Sequence, residues 1–184
     1  VFIPVNARAV NTEVPRWPQV LDQQGVPRML IGALQNTAVD REQAVRRSKR
    51  ASAAAMWIAG TPIETIELQL TQHLRQQGGV AGAVRTIADR TRDLLPAVAA
   101  VIQEVTPESA AGDLVERTMV RLELGIPAEL VNLARLDGLQ LTRAQWLGLN
   151  RARLITPEAI RDITDDGLIA ILGSATAAAS IKRA

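Results

Sequence analysis

The sequence predicts an all-α fold, a helical bundle followed by a small hairpin-containing unit, and three observations carry that prediction. The chain has 184 residues, 47% hydrophobic but only 2% aromatic, with three Trp, one Phe and no Tyr. Its apolar content is therefore Ala, Leu, Val and Ile rather than the aromatics that enrich strands, which favours helices packed through small side chains. A helix-start signature also recurs. Thr61-Pro62 with Glu64, Thr106-Pro107-Glu108 and Thr156-Pro157-Glu158 each offer a capping hydroxyl, a first-turn proline and an early carboxylate. Finally, no segment alternates apolar and polar residues for long enough to form a strand.

Residues 1–38 read differently from the rest. Pro4, Pro15, Pro18 and Pro27 break any long element there. The prediction is an extended lead with two short helices near 16–24 and 27–36, the tail of a preceding domain. Residues 39–124 read as the bundle. Asp40 caps a helix that runs to about Ala59 and stops at Gly60; a second starts at Thr61 and ends at Gly78-Gly79. A long third helix covers about Val80 to Val105, with Val84, Ala88, Leu95, Val98 and Ile102 close to one face and Pro96 inside it as an expected kink. A fourth runs from Thr106 towards Gly125. Residues 125–184 form the second unit: Pro127 opens a helix ended by Gly138, another covers Thr142 to Arg151, one more starts at Thr156, and a C-terminal helix completes it. The sequences after the recurring starts do not match, so no solenoid repeat is present.

The absences narrow the function. Without Cys there is no disulfide, thiol nucleophile or Cys-based zinc site. There is no GxxxxGK[ST], GxGxxG, HExxH or helicase motor motif, so nucleotide hydrolysis is not expected from this chain, and no cofactor or metal is called for. The single His73 lacks companion ligands at a workable spacing and reads as a surface or capping residue. Asp165-Asp166, followed by Gly167, reads as a turn and a new helix start rather than a metal pair. No run approaches the roughly 18 apolar residues of a membrane span and no signal peptide is visible, so the default is a cytoplasmic protein with no membrane partner. The chain opens on Val1 rather than Met, which reads as a piece of something longer.

Net charge is only +2, but the 21 basic residues are mostly Arg and the pI is near 9.9. Arg favours planar, bidentate partners such as phosphate, a mild pointer to nucleic acid. One basic segment is DREQAVRRSKR, with Arg41, Arg46, Arg47, Lys49 and Arg50. Arg46 and Arg50 are four apart and share a helix face; the face is either a phosphate contact or simply solvated. The other is LVNLARLDGLQLTRAQWLGLNRARLITPEAI, two helices around a tight Asp137-Gly138-Leu139 turn with Arg135, Arg143, Arg151, Arg153 and Arg161 nearby. This is the outline both of a plain αα-hairpin and of a helix-hairpin-helix, in which turn amides and a helix N-terminus face a phosphate without reading bases.

The order of these segments from Asp40 to about Gly173 resembles the C-terminal region of HelQ-type superfamily 2 DNA helicases. The residues that carry the resemblance are AAAMWIAGTPIETI, the long helix VRTIADRTRDLLPAVAAVIQEV, and GDLVERTMVRLELGIPAELVNLARLDGLQLTRAQWLGLNRARLITPEAI. In that family a winged helix, a helical ratchet domain and a small helix-hairpin-helix domain follow two motor domains. The resemblance implies a non-catalytic module that grips and guides single-stranded or forked DNA, with the motor domains of the parent chain as its other partner. Residues 1–38 would then end the winged helix or bridge from it. The implied DNA contacts are Arg85, Arg90 and Arg92 on the ratchet helix, Arg46 and Arg50, and Gly138, Arg143, Arg151 and Arg153 around the hairpin. Two departures stand out: Gln140 falls where the family's hairpin carries a second Gly, and the ratchet helix has no aromatic, so stacking would fall to a guanidinium plane, foremost Arg90. The alternative from another class is a helical protein-interaction or scaffolding domain, with the Arg residues only solvating the surface. Under either, Trp57 and Trp146 belong to the core.

Overall fold

A computed structural model describes residues 3–74, 78–106, 108 and 111–184. It is all-helical, with no strand among the described residues. The chain divides into two compact units, residues 1–97 and 98–184.

The first unit is built on α3 (Arg41–Ile58), against which α1 (Val10–Gln23), α2 (Arg28–Asn36) and α4 (Ile63–Thr71) pack. The buried face of α3 is Ala44, Val45, Ser48, Lys49, Ser52, Ala53, Met56 and Trp57, pairs of positions recurring every four residues, which form one stripe on a helix. Trp17 and Leu21 of α1 and Ile31 of α2 are buried in this unit. Residues 3–38 are therefore part of the first unit and not a separate lead, because α1 and α2 pack on α3. The boundary between units falls at 97/98, inside α5 (Ala81–Val105), where the sequence reading divided the chain at 124/125.

Pro15 and Pro18 do not break α1; both lie inside it. A proline deprives the carbonyl four residues earlier of its donor. For Pro18 that carbonyl is Val14 O, and the Gln35 side chain donates to it at 3.3 Å. The cap at Asp40 is as expected, its carboxylate accepting from the Gln43 N–H at 2.7 Å. At the next start Pro62 itself occupies the N-cap position, with no side-chain cap bond. α4 stops at Thr71, well before Gly78. Its Glu67 carboxylate then accepts from the N–H groups of both Val80 and Ala81 at 2.7 Å, capping α5 from outside the helix.

In the second unit α6 (Ala111–Leu124) follows α5; the expected start at Thr106 includes Pro107, which lies outside the described residues. A single 3-10 turn (Ala128–Leu130) leads into α7 (Val131–Ala134), followed by α8 (Arg143–Arg151), α9 (Pro157–Asp162), α10 (Asp165–Leu172) and α11 (Ala175–Arg183). Three helix starts match the sequence chemistry. Thr142 and Gln145 form a reciprocal capping box on α8, Thr156 caps α9 with Pro157 at its first position, and Asp165 and Asp166 sit in the first turn of α10. The core contains Ile126, Leu130, Leu133, Trp146, Leu149 and Leu168. Gly148 lets α8 approach α10 closely, since a Cβ there would lie 3.2 Å from the Ile171 carbonyl oxygen.

Candidate nucleic-acid interface

The structure distributes the candidate residues over three surfaces. On α3, a groove of about 490 Å³ is lined by Asp40, Glu42, Gln43, Arg46, Arg47 and Arg50. Three guanidinium groups there meet two carboxylates. Asp40 is committed to its cap, Glu42 pairs with Arg46, and Arg47 donates to the Thr37 hydroxyl at 2.7 Å. Arg50 is exposed and makes no hydrogen bond or ion pair among the described residues, so it is the readiest anion partner in this groove.

Lys49 is not part of that basic face. Its ammonium is fully buried, 3.0 Å from a Glu13 carboxylate oxygen, and donates to the Pro4 carbonyl at 3.0 Å. It also lies 5.4 Å from the Trp17 ring centre, and the Arg16 guanidinium stacks at 4.6 Å on the same ring. Burial pushes the Lys49 pKa below the ordinary lysine value, with Glu13 acting in the opposite direction. The eight-position stripe on α3 was the signal that could have revealed this, because Lys49 falls on it between Val45 and Ala53.

The second surface is α5. Arg85 and Arg90 are exposed and without a protein partner among the described residues. Arg92 is half-buried and lies 3.8 Å from Asp93. Arg85 and Arg92 are two helical turns apart and share a face, which Arg90 does not.

The hairpin is the third. The chain leaves α7 at Arg135 and enters α8 at Arg143, with Gly138 between at φ +79. That left-handed conformation is what requires glycine, while the space where a Cβ would stand is open. The amides of residues 137–140 donate to no acceptor among the described residues. They are thus turn donors available to an anion. Arg135 is drawn away by Asp113 and Glu116 at 3.6 and 3.4 Å. Arg143 is half-buried, and its Nε donates to the Gly125 carbonyl at 2.9 Å, tying the start of α8 to the end of α6. Arg151 and Arg153 are exposed, with no ion pair among the described residues, but they lie at the far end of α8, about 12 Å from the hairpin at 1.5 Å per residue. Arg153 occupies the left-handed position of the α8 terminus at φ +60, with Leu154 N–H bonded to Leu149 O at 2.9 Å. Glycine is usual there.

No family model, curated protein or solved structure matches this chain. Among the described residues no group of three or more His, Asp or Glu could hold a metal ion. No helix there is long and apolar enough to cross a membrane. His73 is half-buried; its backbone carbonyl accepts from Asn6 and its ring contacts Gln72.

Proposed function

We propose that this chain is the non-catalytic, DNA-binding C-terminal part of an ATP-dependent superfamily 2 DNA helicase of HelQ type. It holds single-stranded or forked DNA without reading sequence, while motor domains elsewhere in the parent chain supply force. The observation that carries this reading is the open Gly138 hairpin with its four undonated turn amides. Arg151 and Arg153, about 12 Å further along α8, add a second cationic contact. Arg85, Arg90 and Arg50 supply cations in the first unit. The test is a polarisation titration of labelled single-stranded and forked DNA over a salt series. Absence of binding at about 50 mM salt removes this reading.

The second reading, a helical protein-interaction or scaffolding domain, is favoured by one specific observation: large apolar side chains stand in solvent along the C-terminal half of α5.

A further inference from the structure

Gln43, Arg46, Arg47 and Arg50 of α3 stand at i, i+3, i+4 and i+7. At about 100° per residue they fall within one sector of about 100°, with Arg50 between Arg46 and Arg47 in direction and one turn beyond them. This sector faces away from the buried stripe of α3 and lines the groove of about 490 Å³. Its donors are only partly used. Arg46 pairs with Glu42, yet its Nε is screened from solvent and has no acceptor among the described residues. Gln43 accepts from the Val39 N–H at 2.8 Å through Oε1, and its Nε2 donates to nothing among the described residues. Arg47 donates only to the neutral Thr37 hydroxyl, and neither Arg47 nor Arg50 forms an ion pair there. The two carboxylates of the groove are already engaged, Asp40 by the Gln43 N–H and Glu42 by Arg46.

We propose that this groove binds a phosphate monoester, the terminal phosphate of a nucleic-acid strand or of a free nucleotide, with Arg47 and Arg50 as its main donors and Gln43 beside them. Three properties select that chemistry. Guanidinium groups hold phosphate oxygens through paired N–H donors. Two of them without carboxylate partners match a monoester, which carries about −1.5 to −2 at pH 7, better than the single charge of a phosphodiester. Next, the described lining has no aromatic or aliphatic side chain. Nothing there stacks on a base, so the phosphate itself is the group recognised. Finally, the groove is polarised along α3. Asp40 and Glu42 stand at its N-terminal end and Arg50 at the other, about 12–15 Å away at 1.5 Å per residue. A continuous backbone would have to pass both carboxylates, whereas a terminal phosphate enters from the Arg50 side and stops. For a strand as the source, the proposal rests on the DNA reading above and gives α3 the end of the strand rather than its interior.

Two titrations of the chain test this and separate the sources. The first is calorimetry with AMP against adenosine. The second is polarisation with an internally labelled strand of about ten nucleotides that ends in a phosphate or in hydroxyls, a hydroxyl-ended strand one nucleotide longer matching the added charge. The expected results are AMP binding on the order of 1 mM that adenosine lacks, or a phosphate-ended strand bound at least about fivefold tighter than either hydroxyl-ended one. Arg50→Ala is expected to abolish the preference with helical dichroism kept, because the side chain is exposed and bonds to nothing described. Arg47→Lys, which keeps the charge but loses the paired donors, is expected to weaken it. Arg85→Ala is expected to lower affinity for all strands alike and leave the ratio unchanged. AMP binding without strand binding keeps this site, assigns it to a free nucleotide and removes the DNA reading. Strand binding that ignores the terminal phosphate, with no AMP binding, overturns the proposal and leaves the DNA reading standing. A preference that survives Arg50→Ala combined with Arg47→Ala also overturns it.

Discussion

An ammonium taken out of water beside a carboxylate recovers its desolvation cost only when the geometry is close and the remaining donors are used. Lys49 meets both conditions through Glu13 and the Pro4 carbonyl. Glu13→Ala leaves a buried, unpaired cation and is expected to cost about 3–5 kcal/mol in urea denaturation. Replacing both partners with apolar residues, Lys49→Met with Glu13→Leu, is expected to recover most of that loss. The same pair sets a pH dependence. The folded-state pKa of Lys49 is lowered by burial, so between that value and the ordinary lysine value the unfolded chain holds a proton that the folded chain has released. Stability of the natural chain relative to the double variant should therefore rise as pH rises through this window. Among the site residues, removing whichever of Arg85, Arg90 and Arg92 lies along a base is expected to cost about 1–3 kcal/mol of single-strand affinity. Arg151→Ala and Arg153→Ala should weaken binding uniformly across sequences. Arg143→Ala should also lower stability, through its lost bond to Gly125. Equal, small effects at every position would mean that the cations only solvate the surface.

At the scale of the helix, the caps are where local sequence and structure meet most directly. Thr142→Ala removes half of the α8 capping box and should cost about 1 kcal/mol in thermal or urea unfolding. Gly138→Ala should cost about 1–2 kcal/mol through its positive φ alone, since nothing crowds the site. If the turn amides hold a phosphate, it should also weaken DNA binding. The capped helices at Asp40, Thr142 and Thr156 were legible because a cap is chemistry between residues three apart. α1 was not, because the carbonyl that Pro18 deprives is satisfied by Gln35, on another helix. For the same reason α5 begins where it does through Glu67, more than ten residues back. The hairpin turn was legible from Asp137-Gly138-Leu139. Its Arg partners were only partly so, since a sequence shows that Arg135 and Arg143 are cations but not that Asp113, Glu116 and the Gly125 carbonyl take them up.

For the molecule as a whole, the nearly balanced charge, +2 overall, means that any affinity for nucleic acid comes from where the cations are exposed. If about four of them neutralise phosphates of a single strand, log affinity should fall against log salt with a slope near −3, at roughly −0.7 per phosphate. A slope near zero would separate the protein-interaction reading from the DNA reading in one measurement. The chain also carries its own optical probe. Trp17 and Trp57 are buried in the first unit and Trp146 in the second, where its indole nitrogen finds no acceptor among the described residues. With Trp17 and Trp57 replaced by Phe, and no Tyr in the chain, all indole fluorescence would come from Trp146. Its emission would then follow the loosening of the hairpin-bearing unit, while far-ultraviolet dichroism follows both. The two melting curves laid over one another would show whether the halves of this chain come apart together or in turn.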